Sequence, residues 1–237
     1  MTAENLTAED LRLGLEAYWL HRYAEAIPIL VRHALADVCE AQYLLARCFL
    51  WGDLTTRSTR RGHYWLQRAA RGGHAGAQER LGSVLRDGKG VPKSLAQARF
   101  WFQMAARNGH AHAHCQLGYL YFKGLGVTQN WRRAYEHYEK AHALGSGYGV
   151  NSLGWFAERG ILVAKDFEKA RQYFELAIER GFSTAVFNLG TLYEYGKGVT
   201  VDRERARSLY QQAAHSGVPD ARSALERMKR EDDGNNS

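Results

Sequence analysis

Ala77, Leu81 and Leu85 fall at i, i+4 and i+8 along a stretch of largely polar residues, one apolar stripe of an amphipathic helix. A second stripe, Ala98, Phe102, Ala105 and Ala106, follows after a glycine-bearing break. Both stripes return every 36 residues: Leu81-Gly82 recurs as Leu117-Gly118, Leu153-Gly154 and Leu189-Gly190, with Leu45-Ala46 one step earlier. A two-helix unit with one apolar side cannot bury that side alone, so an unbroken period of this length predicts modules that lean on their neighbours. The expected architecture is all-α: a right-handed α-solenoid of about six stacked antiparallel helix pairs, helix A and helix B. Its units fall near 5–40, 41–76, 77–112, 113–148, 149–184 and 185–220. A capping helix at 221–230 completes a single domain over 1–230, and an apolar-free acidic tail, 231–237, is expected to be disordered.

Other columns of the register assign roles within each unit. Gly52, Gly88, Gly124, Gly160 and Gly196 follow helix A, where a left-handed C-terminal cap is wanted. Gly73, Gly109, Gly145, Gly181 and Gly217 end helix B in the same way. Ser58, Ser94, Asn130, Asp166 and Asp202 precede helix B, and each carries an oxygen able to accept from the unpaired amides of a first helical turn. Inside helix B, Ala98, Ala134, Ala170 and Ala206 share a column that reaches back to Ala26, with Gly62 intervening, and Phe102, Tyr138, Phe174 and Tyr210 supply a buried aromatic. Glycine in the Gly82 column then lets the paired helix come close.

The resulting pattern, A-x3-L-G-x2-[YF]-x2-G-x-G-V followed by A-x2-[WY]-[FY]-x2-A-A-x3-G, resembles the Sel1-like repeat, a branch of the tetratricopeptide superfamily, over nearly the whole chain. Ala113 to Gly145 and Ala185 to Gly217 match best. Repeats two and five depart from it, with Asp53-Leu54-Thr55 and Ile161-Leu162-Val163 where G-x-G-V continues. The first unit, Leu13 to Asp37, has a shorter loop and is more similar to an ordinary tetratricopeptide unit. The resemblance implies adaptor or scaffold work, and its bacterial members include signalling regulators and immunity proteins that neutralise a secreted toxin. The cysteine-rich secreted branch carries a cysteine pair in each repeat, whereas Cys39, Cys48 and Cys115 show no paired spacing, so that branch is excluded.

A chain of 237 residues with 45% apolar content needs neither a metal nor a disulfide to hold a core. No 18-residue apolar window occurs, and residues 1 to 10 lack the cationic start and apolar core of a secretory signal, so a cytoplasmic protein is expected. The net charge of +7 conceals an uneven spread. Residues 1–40 hold 3 basic against 7 acidic side chains, residues 41–110 hold 12 against 3, and the remainder 17 against 15. The densest basic part is Arg57, Arg60, Arg61, Arg68 and Arg71, with His63. It reads either as a solvated outer face or as a landing site for an acidic partner. Nucleic acid is the alternative owner of such a patch, but phosphate tracking wants positive charge sustained along a groove, and the later repeats are nearly balanced.

The face of helix A opposite its leucine stripe is expected to form the inner wall of the stack. It carries Glu79, Ser83 and Arg86 in repeat three, and in register Tyr43, Arg47 and Leu50 in repeat two, with Trp51 the next neighbour. Further along it carries Cys115, Tyr119, Phe122 and Lys123, then Asn151, Trp155, Glu158 and Arg159, then Phe187, Thr191, Glu194 and Tyr195. Large rigid aromatics beside arginine are the composition of interface anchors. Tyr119 and Trp155, at one position in adjacent repeats, stand out, with Arg47, Arg86, Lys123 and Arg159 as partners for a carboxylate.

The run Gly109-His110-Ala111-His112-Ala113-His114-Cys115 invites a metal, since His110 and His114 are one helical turn apart, but no carboxylate nearby completes a ligand set and none is assigned. Neither a nucleophile elbow, a phosphate loop, an H-E-x-x-H pair nor a dinucleotide fingerprint occurs, and Gly88-Lys89-Gly90 follows the 36-residue period with no strand before it. The sequence therefore predicts a non-enzymatic protein without cofactor. It would bind another protein or peptide, acidic or a toxin or effector, through its helix-A face.

Overall fold

The computed structural model describes residues 7–52 and 57–235, with side chains to Asp232. The first residues of the polar start, the variant loop Asp53-Leu54-Thr55 and the end of the tail lie outside the described residues. Thirteen helices and no strands are found among the described residues: α1 (Ala8–Trp19), α2 (Tyr23–Leu35), α3 (Cys39–Trp51), α4 (Thr59–Arg71), α5 (Ala75–Asp87), α6 (Leu95–Arg107), α7 (Ala111–Lys123), α8 (Trp131–Ala143), α9 (Gly147–Arg159), α10 (Phe167–Glu179), α11 (Thr184–Tyr195), α12 (Arg203–His215) and α13 (Pro219–Asn235). They form two compact units, residues 1–113 and 114–237. In the first unit α1 to α6 pack in chain order, each on the next, and in the second α8 to α13 do the same.

The periodic columns do the local work expected of them. Each helix-B cap side chain accepts from the amide three residues on: Ser58 from Arg61 at 3.4 Å, Ser94 from Gln97 at 3.4 Å, Asn130 from Arg133 at 3.0 Å, Asp166 from Lys169 at 2.9 Å and Asp202 from Arg205 at 2.8 Å. Ala77, Leu81 and Leu85 are buried, as are Ala98, Phe102 and Ala105. The Leu-Gly signature has a direct cause. A Cβ added to Gly82 would lie 2.7 Å from the Phe102 ring, and the same holds for Gly118 on Tyr138 at 2.6 Å, Gly154 on Phe174 at 2.6 Å and Gly190 on Tyr210 at 2.8 Å. Helix B lays its aromatic face on the bare backbone of helix A, so the two columns specify one contact.

One cap differs from expectation. Gly88, Gly160 and Gly196 end helix A in the left-handed region, but Gly52 is extended, with φ −65° and ψ −176°. Repeat two lacks the G-x-G-V continuation that would turn the chain the other way. In repeat five, by contrast, Leu162 takes φ 64° in the column where Gly90, Gly126 and Gly198 take 74°, 66° and 68°. The loop therefore keeps its course without its glycine.

The C-terminus also departs from the expected end at 230. Helix α13 continues to Asn235, because Glu231 and Asp232 reach back to Arg203 at 3.0 and 3.2 Å and Asp232 meets Arg207 at 2.5 Å. Ala221, Ala224 and Met228 bury its inner side.

Candidate partner-binding face

In the second unit the helix-A positions singled out in the sequence converge. Tyr119, Phe122 and Lys123 from α7 and Trp155 from α9 line one pocket of about 420 Å³. Phe122 meets Trp155 edge to face at 5.1 Å, and Trp155 meets Phe156 in the same manner at 5.5 Å. The ring edges thus fix one another before any partner arrives. Tyr138 and Phe156, both buried, form the floor. Two cations border the aromatic surface: the Lys123 ammonium stands 5.3 Å from the Phe122 ring and the exposed Arg159 guanidinium 5.8 Å from Trp155.

Sequence reasoning missed Tyr148, Phe182 and Thr184, which complete this wall. Their columns hold Glu40, Gly76 and His112 for Tyr148 and Thr184, and Val38, His74, His110, Ser146 and Val218 for Phe182. Two bulky rings in columns that are otherwise mixed were the available signal. Tyr148 and Phe182 also meet edge to face, at 5.4 Å.

Other expected members of the face are spoken for. Glu158 is buried and accepts from Lys197 at 2.7 Å. Glu194 is buried too, accepting from the Tyr210 hydroxyl at 2.6 Å and from Arg227 at 2.6 and 2.7 Å. Both were expected on an open face. Lys197, on the α11–α12 loop of the next repeat, covers Glu158, while Tyr210 on α12 of the same repeat and Arg227 on α13 cover Glu194. Phe187 is half-buried with its ring 5.2 Å from Tyr210, and Tyr195 remains about half exposed, 54%.

The first unit is arranged differently. Tyr43 stacks on His74 at 4.4 Å, and the Arg47 guanidinium lies 5.6 to 5.9 Å from the rings of Tyr18, Trp19 and Tyr43. Trp51 is exposed, with Arg80 4.7 Å over its ring. Ser83 donates to Glu79 at 2.8 Å, and Arg86 pairs with Asp87 at 2.7 Å. Burial pushes the Glu79 carboxyl up, yet bonds from His112 and Ser83 outweigh it and hold the group below its ordinary range. Within the basic block Arg57, Arg60, Arg61 and Arg71 are exposed. Arg68 is not a free charge: it reaches Asp37 at 2.5 Å, 31 residues away, and lies over Trp65 at 5.5 Å.

The histidine run also resolves into separate contacts. His112 pairs with Glu79 at 3.0 Å, and His114 Nδ1 lies 3.1 Å from His137 Nδ1. Cys115 Sγ is 3.2 Å from the Ser146 hydroxyl, and burial pushes its thiol up to about 11, which leaves it protonated at neutral pH. Nδ1 of His110 is buried without a hydrogen-bond partner. Among the described residues no three His, Cys, Asp or Glu side chains converge as a metal site, and no helix is long and apolar enough to cross a membrane.

Helix pairs capped at a common column and packed in chain order define an α-helical repeat protein of the solenoid class. The chain belongs to the Sel1 repeat family: the Sel1 repeat model matches residues 39–74, 75–110, 111–146, 148–182 and 183–218. These frames begin one to two residues before the expected ones, at or next to the first residue of each helix A. Sel1-repeat proteins are protein-interaction scaffolds. A Sel1 repeat protein from Oxalobacter formigenes is 29% identical, with a TM-score of 0.84 over 92% of this chain and 87% of its own. A protective antigen of uropathogenic Escherichia coli that displays an SLR fold is also 29% identical, at a TM-score of 0.74. The match covers 91% of this chain but 47% of the antigen. The immunity protein Pa5087 from Pseudomonas aeruginosa, 17% identical over 91% of this chain and 85% of its own, shares the fold at a TM-score of 0.59. No match is found among curated proteins.

Proposed function

We infer that this chain is a non-enzymatic adaptor whose helix-A face in the second unit grips a protein partner by an apolar or aromatic side chain. One observation carries the reading: Tyr119, Phe122 and Trp155, with Lys123 at the rim, gather in one preformed pocket of about 420 Å³. Ring-to-ring contacts hold the pocket's shape in the unbound chain, so little ordering entropy is lost on binding. The flanking cations Lys123 and Arg159 suit a partner segment with carboxylates beside its anchor. Neutralisation of a toxin or effector is the narrower form of this reading, and its support is the fold held in common with the Pseudomonas immunity protein. The nucleic-acid alternative has less support, because Arg68, at the centre of the basic block, is engaged by Asp37.

The test is a paired affinity capture from the native cell with wild type and with Trp155→Ala and Tyr119→Ala, read by quantitative mass spectrometry. A captured protein should fall about fivefold or more with either variant, the effect of losing about 1 kcal/mol at an anchor, while helicity is unchanged. Equal recovery by wild type and both variants overturns the pocket assignment.

A further inference from the structure

A second, smaller pocket of about 220 Å³ opens in the first unit, between α1, the start of α2, α3 and the middle of α5, and its lining includes Arg47, Arg80, Tyr18, Tyr23 and Trp51. Both guanidiniums lie against aromatic faces: Arg47 among Tyr18, Trp19 and Tyr43, Arg80 over Trp51. A guanidinium stacked in this way has its flat side occupied and its N–H donors still directed outward at its edge. Among the described residues neither arginine has a carboxylate within salt-bridge distance. The acidic side chains that feel their charge are committed elsewhere, Glu40 to His74 at 2.8 Å and Glu79 to His112 at 3.0 Å. Two fixed cations thus face one small polar cavity whose local counter-charges are held by histidines.

We propose that this pocket is a carboxylate site: Arg47 and Arg80 together receive an acidic side chain of the partner protein, with Tyr18 and Tyr23 forming the wall. This rests on the adaptor reading above and adds the chemical class of the segment that the first unit recognises. The cavity is a few ångströms across, so an occupant lies within reach of both arginines, and paired N–H donors match the two oxygens of a carboxylate. The excess of basic residues between 41 and 110, 12 against 3, draws such a segment toward this unit.

The site is tested on the full chain with the N-acetylated peptide Asp-Glu as probe, at constant ionic strength set with sodium chloride, following the Trp51 indole N–H by NMR. Saturable binding is expected, and Arg47→Gln or Arg80→Gln should each weaken it at least fivefold. Arg80→Lys, which keeps the charge and loses the fork, should fall between. Helicity measured on every variant separates lost binding from lost folding. A wild type that does not saturate, or glutamine variants that bind as tightly as wild type, overturns the proposal. So does inorganic phosphate binding tenfold more tightly than the peptide, which would make the pocket a phosphoryl site. The titration needs no captured partner and leaves Trp155 untouched, so its failure is distinguishable from failure of the second-unit pocket.

Discussion

Gly154 lies directly beneath the Phe174 ring: a methyl group on the glycine would come within 2.6 Å of a ring carbon and 3.1 Å of the Tyr173 Cβ. Phe174 is fully buried and cannot swing away. The same glycine-to-ring contact, 20 residues apart in sequence, recurs in four repeats. In repeat two the same columns hold Ala46 and Leu66, both fully buried. A methyl stands there where no ring does.

Gly154→Ala should therefore destabilise the protein. The gain in helix propensity, about 0.5–1 kcal/mol, is smaller than the cost of overpacking a buried ring, about 1–3 kcal/mol. Adding Phe174→Leu, which copies the pair in repeat two, should recover part of the loss. Urea denaturation of the two variants checks this, and a single variant as stable as wild type would remove the contact as the reason for the signature.

Leu162 carries the opposite kind of compromise. It occupies a left-handed backbone position at φ 64°, which costs a residue with a Cβ about 1–2 kcal/mol, and its side chain is 49% exposed, so little burial repays the strain. Leu162→Gly relieves that strain at an entropic cost of about 0.5–1 kcal/mol. The expected outcome is a gain of about 0.5–1 kcal/mol in unfolding free energy by chemical denaturation. A destabilised variant would show that the Leu162 side chain contributes packing that outweighs its backbone.

His137 is expected to give the fold an acid-sensitive step. Burial, with the neighbouring charges of His114, Lys140 and Arg133, pushes its imidazole down to about 4 from an ordinary 6.5, and the ring stacks on Tyr121 at 5.7 Å. The folded state then takes up this proton less readily than the unfolded chain does. Its contribution is complete above pH 6.5 and falls as the pH drops from 6.5 toward 4, by about 1–2 kcal/mol after allowance for the partly exposed ring. His137→Gln should flatten the stability profile in that window alone. An NMR titration of wild type that places the His137 midpoint near 6.5 would contradict it.

The repeating features were legible because they are local and recur. Helix A, helix B, the caps at Ser94 or Asp166 and the glycine under each ring involve residues a few to 20 positions apart, and five copies of each column average out individual variation. The pocket was half legible. Tyr119 and Trp155 could be placed on one helix face by register, but Tyr148 and Phe182 enter from first-turn and inter-repeat positions that have no common residue type.

From its sequence alone this chain is a stack of helix pairs with a 36-residue period, and the side of helix A that turns away from the leucines is identifiable. Tertiary structure alone decided which groups on that side remain open. Glu158 meets Lys197 39 residues on, Glu194 meets Arg227 33 residues on, and Arg68 meets Asp37 31 residues back. Each of these partners comes from an adjoining module, and among the described residues none of the three pairings recurs in another repeat. Periodicity reports what the modules share, whereas burial and pairing on the binding side depend on single side chains that they do not share, brought together only when one module docks on the next.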